Sequence, residues 1–67
     1  MKSIIKIYNI ESQNDVNLIQ NKISQQNGII ASQISLSKKE LTIIYNETYL
    51  NIETIKEDIE DLGYVVI

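Results

Sequence analysis

Glu11, Ser12, Asp15 and Tyr64 are the residues of this chain whose types and spacing could do chemistry. The first three fall between a strand-like run, residues 2–8, and a helix-like run, residues 16–27. All four offer oxygen. Oxygen ligands suit hard cations, and a Tyr phenolate can hold haem iron. The same residues also have a plainer use. Ser12 suits a helix start, where its hydroxyl accepts from backbone N–H groups, and Asp15 in the first turn complements the helix dipole. Two carboxylates make a weak cation site. Glu11 and Asp15 would act as a general acid–base pair only inside a pocket that raised one pKa, and the sequence supplies no residues to wall one. The chain has no His, Cys or Arg. Thiolate nucleophiles, imidazole bases and the usual zinc and copper ligands are therefore absent, and no nucleophile–base pair can form. The expectation is a protein that is not an enzyme.

The elements that position these residues must come from a short, aliphatic chain. At 67 residues it forms one domain, residues 1–67, which buries only about 60% of the surface the unfolded chain exposes. Hydrophobic residues make up 43%, Ile above all, with no Phe, Trp or Pro. Stability must come from packing, because no disulfide or structural-metal staple is available. No segment has the pattern of a leader peptide, and no run approaches the ~20 apolar residues of a membrane span. The expected location is the cytoplasm, with no membrane partner. Net charge is −3. Glu40, Glu47, Glu53, Glu57, Asp58, Glu60 and Asp61 face only Lys56 in the last part of the chain. That balance disfavours a nucleic-acid partner, which needs a basic surface, and none is expected. It marks either a solvated helix face or a docking surface for a basic partner.

Residues 2–8 alternate, with Ser3, Ile5 and Ile7 on one face and Ile4, Lys6 and Tyr8 on the other; their β-branched content predicts a strand. Residues 12–27 predict a helix capped by Ser12, with Val16, Ile19 and Ile23 as its apolar stripe and Gly28 as its left-handed C-terminal cap. Residues 29–36 predict a second strand, with Ile34 and Leu36 inward and Gln33 and Ser35 outward. Residues 37–39 form a hairpin turn. Residues 41–45 predict a third strand with Leu41, Ile43 and Tyr45 on one face. Asn51 caps a second helix that runs to Leu62, with Ile52, Ile55, Ile59 and Leu62 inward and Gly63 as its stop. Residues 64–67 predict a fourth strand. The order β-α-β-β-α-β is that of the α+β, ferredoxin-like split fold: a four-stranded antiparallel sheet, strand order 4-1-3-2, with both helices on one face.

Along its whole length the chain resembles the heavy-metal-associated (HMA) domains, the family of small copper chaperones and of N-terminal domains of copper-transporting P-type ATPases. The resemblance rests on Ile5-x-Ile7, Gly28-Ile29, Ile34-Ser35-Leu36, Leu41-Thr42-Ile43 and Tyr45-Asn46. It rests above all on the segment Ile55-Lys56-Glu57-Asp58-Ile59-Glu60-Asp61-Leu62-Gly63-Tyr64. The family's metal motif, Gly-Met-x-Cys-x-x-Cys, falls here on Asn9, Ile10, Glu11, Ser12 and Asp15. Ser12 and Asp15 hold the two Cys positions, and Tyr64 matches a family Tyr near the metal loop. Gln26 and Ser32 also replace expected apolar residues. Soft Cu(I) takes thiolate or thioether sulfur, so the family's copper role does not carry over by its usual route.

Two functional expectations follow. The first is a non-catalytic, copper-chaperone-like binding protein that has lost its thiolate Cu(I) site and serves as a protein-interaction or regulatory module in metal homeostasis. Its interaction face is Ile4, Tyr8, Ile44, Val65 and Ile67 on the helix-free side of the sheet, and its partner is a protein, a second copy or a metal transporter domain. The alternative is a ligand-binding protein in which Glu11, Asp15 and Tyr64 take a hard metal ion or haem. No cofactor is expected on the first reading.

Overall fold

Alternation along the strands decides which side of the sheet the helices cover. In the computed structural model, which describes residues 1–67, Ile5, Ile7, Leu41, Ile43 and Tyr45 are buried while Ile4, Tyr8 and Ile44 are exposed. The elements are β1 (Lys2–Lys6), α1 (Gln13–Ser24), β2 (Ile29–Ser35), β3 (Glu40–Tyr45) and α2 (Ile52–Asp61). The sheet is antiparallel, in the order β1-β3-β2. Its covered face joins Ile19 and Ile23 of α1 with Ile55 and Ile59 of α2 in one aliphatic cluster, closed by Ile10 and Leu50 from the loops. Each fully buried Ile contributes roughly 1.5–3 kcal/mol relative to exposure. No side-chain polar atom is buried without a partner. No helix is long and apolar enough to cross a membrane.

The second strand carries a bulge. Ile29 pairs with Tyr45 but Ala31 pairs with Ile44, so Ile30 is the extra residue and projects outward, 69% exposed. The bulge shifts the alternation by one position. That is why Ile29 and Ile34, of opposite parity, both pack on the core. Ser35, expected outward, is only half-buried, its hydroxyl turned to the hairpin near the Ser37 hydroxyl and the Lys38 N–H.

Three expectations are corrected. The fourth strand is not formed as an element: the last segment makes an isolated antiparallel bridge, Ile7 to Val66, framed by Tyr8 N–H to the Val65 carbonyl at 2.8 Å and Ile67 N–H to the Lys6 carbonyl at 2.9 Å. The pairing is on the β1 edge, as the order 4-1-3-2 requires, but it does not extend. The Val65 N–H is taken by the Asn9 side chain. α1 ends at Ser24 rather than near Asn27, because Gln25 and Gln26 donate to carbonyls three residues back, a tightened last turn. Gly28, at φ +99°, therefore serves the turn into β2, not the helix cap. Leu62 is 38% exposed rather than part of the core stripe. α2 stops at Asp61 and Gly63, at φ +96°, reverses the chain. Gly63 N–H then meets the Glu60 carbonyl and Tyr64 N–H the Ile59 carbonyl, the Schellman pattern, which brings Tyr64 against the core instead.

The two glycines differ in a measurable way. A Cβ on Gly28 would meet Leu50 Cβ at 3.1 Å and Tyr49 Cβ at 3.2 Å, whereas one on Gly63 would meet nothing within 4 Å. Gly63→Ala is expected to lose about 1 kcal/mol, the left-handed backbone penalty alone, and Gly28→Ala about twice that or more. Urea denaturation of both variants checks the order.

Candidate functional site

The loop from β1 to α1 is built from its backbone outward. Ile10 is completely buried and anchors the loop to the core. Asn9 ties it to the end of α2: its Nδ2 donates to the Gly63 carbonyl at 3.4 Å, and its Oδ1 accepts from Val65 N–H at 2.8 Å. Ser12 is the N-cap in extended conformation, and its Oγ accepts from Asp15 N–H at 3.3 Å. Asp15 Oδ2 reaches back to accept from Ser12 N–H at 3.2 Å and Glu11 N–H at 2.9 Å, completing a reciprocal capping box. The other oxygen, Oδ1, accepts from the Tyr64 hydroxyl at 2.5 Å.

These contacts set the protonation of the pair. The Tyr64 hydroxyl, followed by the Glu11 N–H, holds the Asp15 carboxyl below the usual carboxylate range. Its hydrogen bond to Asp15, reinforced by burial and by the carboxylate's charge, pushes Tyr64 up to about 12. Asp15 is thus a carboxylate with both oxygens engaged, and Tyr64 a neutral phenol with its proton committed.

The fold brings Asn9, Ile10, Ser12, Asp15 and Tyr64 to one end of the molecule, while the Glu11 side chain is exposed. Sequence reasoning identified Ser12 and Asp15 as helix-start residues. It missed the bridging role of Asn9 and the Asp15–Tyr64 bond, which spans 49 positions. The Ser-x-x-Asp spacing was the available signal for the capping box. The residues of the expected interaction face, Ile4, Tyr8, Ile44, Val65 and Ile67, are all exposed. Ile4 stands opposite Thr42, and Ile44 opposite Lys2, so polar side chains separate the apolar ones.

The model of the heavy-metal-associated domain matches residues 4–65. The chain belongs to this family. Among its relatives are the copper chaperone CopZ of Staphylococcus haemolyticus, 26% identical over 66 residues and covering 98% of this chain and 97% of that one. The copper chaperone CopZ of Staphylococcus epidermidis is 26% identical over 65 residues, with 97% and 96% covered. Among solved structures, a CopZ metallochaperone superposes with a TM-score of 0.96 at 16% identity over the full length of both chains. A yeast copper transporter domain, solved in apo and Cu(I)-loaded states, superposes at 0.90 with 25% identity, covering 97% of this chain and 89% of that one. Membership makes this a non-catalytic domain of the ferredoxin-like α+β type.

The family's copper-thiolate site is absent from this member, which contains no Cys. Its single sulfur, Met1, pairs through its backbone with Tyr45, at the opposite end of β1 from the loop. No group of three or more His, Cys, Asp or Glu side chains is placed to hold a metal ion. The residues at the loop do not fit a metal. Ser12 and Asp15 keep the spacing of the lost thiolates but are hydrogen-bonded to the backbone and to Tyr64. Haem would need a phenolate at Tyr64, and the Tyr64 hydroxyl is committed to Asp15. The geometry gives neither ligand support.

The pair gives a pH signature. Asp15 has a lowered pKa in the folded state, so its contribution is present above its ordinary value of 3.8 and is lost as pH falls through the lower folded value. Tyr64 has a raised pKa, so its contribution is present below its ordinary value of 10.0 and is lost as pH rises towards about 12. Stability owed to the pair is therefore complete between these limits. In Tyr64→Phe, carbon-detected NMR titration is expected to show the Asp15 carboxyl moving up towards 3.8, and the unfolding midpoint in urea at neutral pH is expected to fall. An unchanged Asp15 titration would show that the bond is not made in solution.

Proposed function

We propose that this HMA domain is a cytoplasmic binding protein that acts in metal homeostasis by contacting another protein, without carrying copper on a thiolate pair. The observation that supports this reading is the closed network at the family's metal loop. Ser12, Asp15 and Tyr64 satisfy one another and the backbone, so the loop is a finished structural joint. What the domain still offers is surface. The side of the sheet away from the helices exposes Ile4, Tyr8, Ile44, Val65 and Ile67, and α2 presents Glu53, Glu57, Glu60 and Asp61 to solvent. Apolar residues supply contact area, and an acidic helix supplies steering towards a basic surface.

The proposed partner is the metal-binding domain of a copper-transporting ATPase. The likeness to the yeast copper transporter domain supports this choice. So does the likeness to the N-terminal domain of a potential copper-translocating P-type ATPase from Bacillus subtilis, which superposes at 0.92 with 20% identity and covers 97% of this chain and 81% of that one. A copy of the fold without ligands would occupy the docking surface of the loaded form and regulate delivery.

Two measurements test the reading. In competition with a Cu(I) chelator, the wild-type chain is expected to retain no copper, and Ser12→Cys with Asp15→Cys to retain one Cu(I) per chain. In NMR titration with an apo ATPase metal-binding domain, shifts are expected on β1, β3 or α2, weakened about tenfold or more by Ile44→Lys. Retention of Cu(I) by the wild type, or absence of shifts with both the ATPase domain and a second copy at high concentration, would overturn the proposal.

A further inference from the structure

The molecule is acidic as a whole, yet three of its six basic residues meet at one place. Between the β2–β3 hairpin and the exit of β1 lies a cavity of about 220 Å³ lined by Lys6, Tyr8, Ser37, Lys38, Lys39 and Ile67. None of the three lysines forms an ion pair. The ion pairs of the chain lie elsewhere, between the Met1 amino group and Glu47 and between Lys56 and Glu53. Glu40, opposite Lys6 in the β1–β3 register, and the α-carboxylate of Ile67 set two negative charges against the three lysines.

The cavity is held in shape by the backbone. Lys39 N–H bonds to the Leu36 carbonyl at 3.3 Å, and the Lys39 carbonyl accepts from Ile7 N–H at 2.9 Å, which pins the hairpin to β1. Lys39 has φ +54°. Its Nζ donates to the Tyr8 carbonyl at 3.3 Å and stands 5.8 Å from the centre of the Tyr8 ring, which fixes the ammonium at the rim. Three lysines lining one concave surface favour an anion that can accept from more than one of them.

We infer that this cavity binds a small anion with several oxygens, of the phosphate or polycarboxylate kind. Its volume is below the ~300–1,000 Å³ of pockets that take drug-sized ligands, so the occupant is a phosphate-sized group and not a nucleotide or haem. The inference does not rest on the docking role proposed above, since it concerns a small ligand and needs no partner protein.

Backbone amide NMR of the purified chain tests it, with inorganic phosphate in one arm and citrate in the other, at an ionic strength held constant with chloride. Saturable shifts at Tyr8, Ser37, Lys38 and Lys39 are expected in at least one arm. Phosphate alone would identify a phosphoryl group, citrate alone a polycarboxylate. Lys6→Gln and Lys38→Gln are each expected to weaken binding by about threefold or more, and Lys56→Gln to leave it unchanged. Lys39→Asn removes the third charge with a residue that tolerates the left-handed backbone. Non-saturating shifts in both arms, or equal weakening by Lys56→Gln, would show only an ion atmosphere and overturn the inference.

Discussion

The carboxylate of Asp15 is the joint on which this end of the molecule depends. One oxygen closes the start of α1 by accepting from two backbone N–H groups, and the other accepts from Tyr64, beyond the end of α2. A single side chain thus ties the start of the first helix to the segment after the second. Asn9 makes a parallel tie through its own side-chain amide. The family's motif places two thiolates at this loop to hold a metal. Here the same spacing holds a hydroxyl and a carboxylate whose hydrogen bonds are all internal, so the loop keeps its shape without an ion.

That substitution is compatible with a core of unusual uniformity. The buried set is aliphatic apart from Tyr45, whose hydroxyl lies 3.2 Å from the Ser3 hydroxyl at the sheet edge. Where apolar residues are missing, polar ones are paired across elements: Gln26, after α1, donates to Asp58 on α2. A domain this small has little stability to lose. The tight turn at Gly28 and the reversal at Gly63 therefore matter as much as any single core contact.

Charge is distributed with the same economy. Acidic residues collect on α2, while Lys6, Lys38 and Lys39 gather at the hairpin end. The acidic helix and these lysines lie on different elements, while Tyr8 and Ile67 belong both to the open sheet face and to the cavity lining. Without Cys, the loop lacks the family's copper-thiolate site.

Much of this was legible in the sequence. The period-2 runs Ile5-x-Ile7 and Leu41-x-Ile43-x-Tyr45, the helical stripe Val16, Ile19, Ile23, and the caps at Ser12, Asn51 and Gly63 each depend on neighbours a few positions away, so local chemistry determined them. The loss of the copper site was equally plain, because no fold can supply thiolates to a chain without Cys. Other features were decided only by the tertiary structure. The bulge at Ile30, the reduction of the last strand to one bridge at Val66 and the exposure of Leu62 depend on which backbone groups and which surfaces reach each other across the sheet. The Asp15–Tyr64 bond and the lysine cavity are of the same kind. Their partners are remote in sequence, and only the packed chain sets the distances that turn a helix-start carboxylate into a hydrogen-bond acceptor for Tyr64 and scattered lysines into one positive surface.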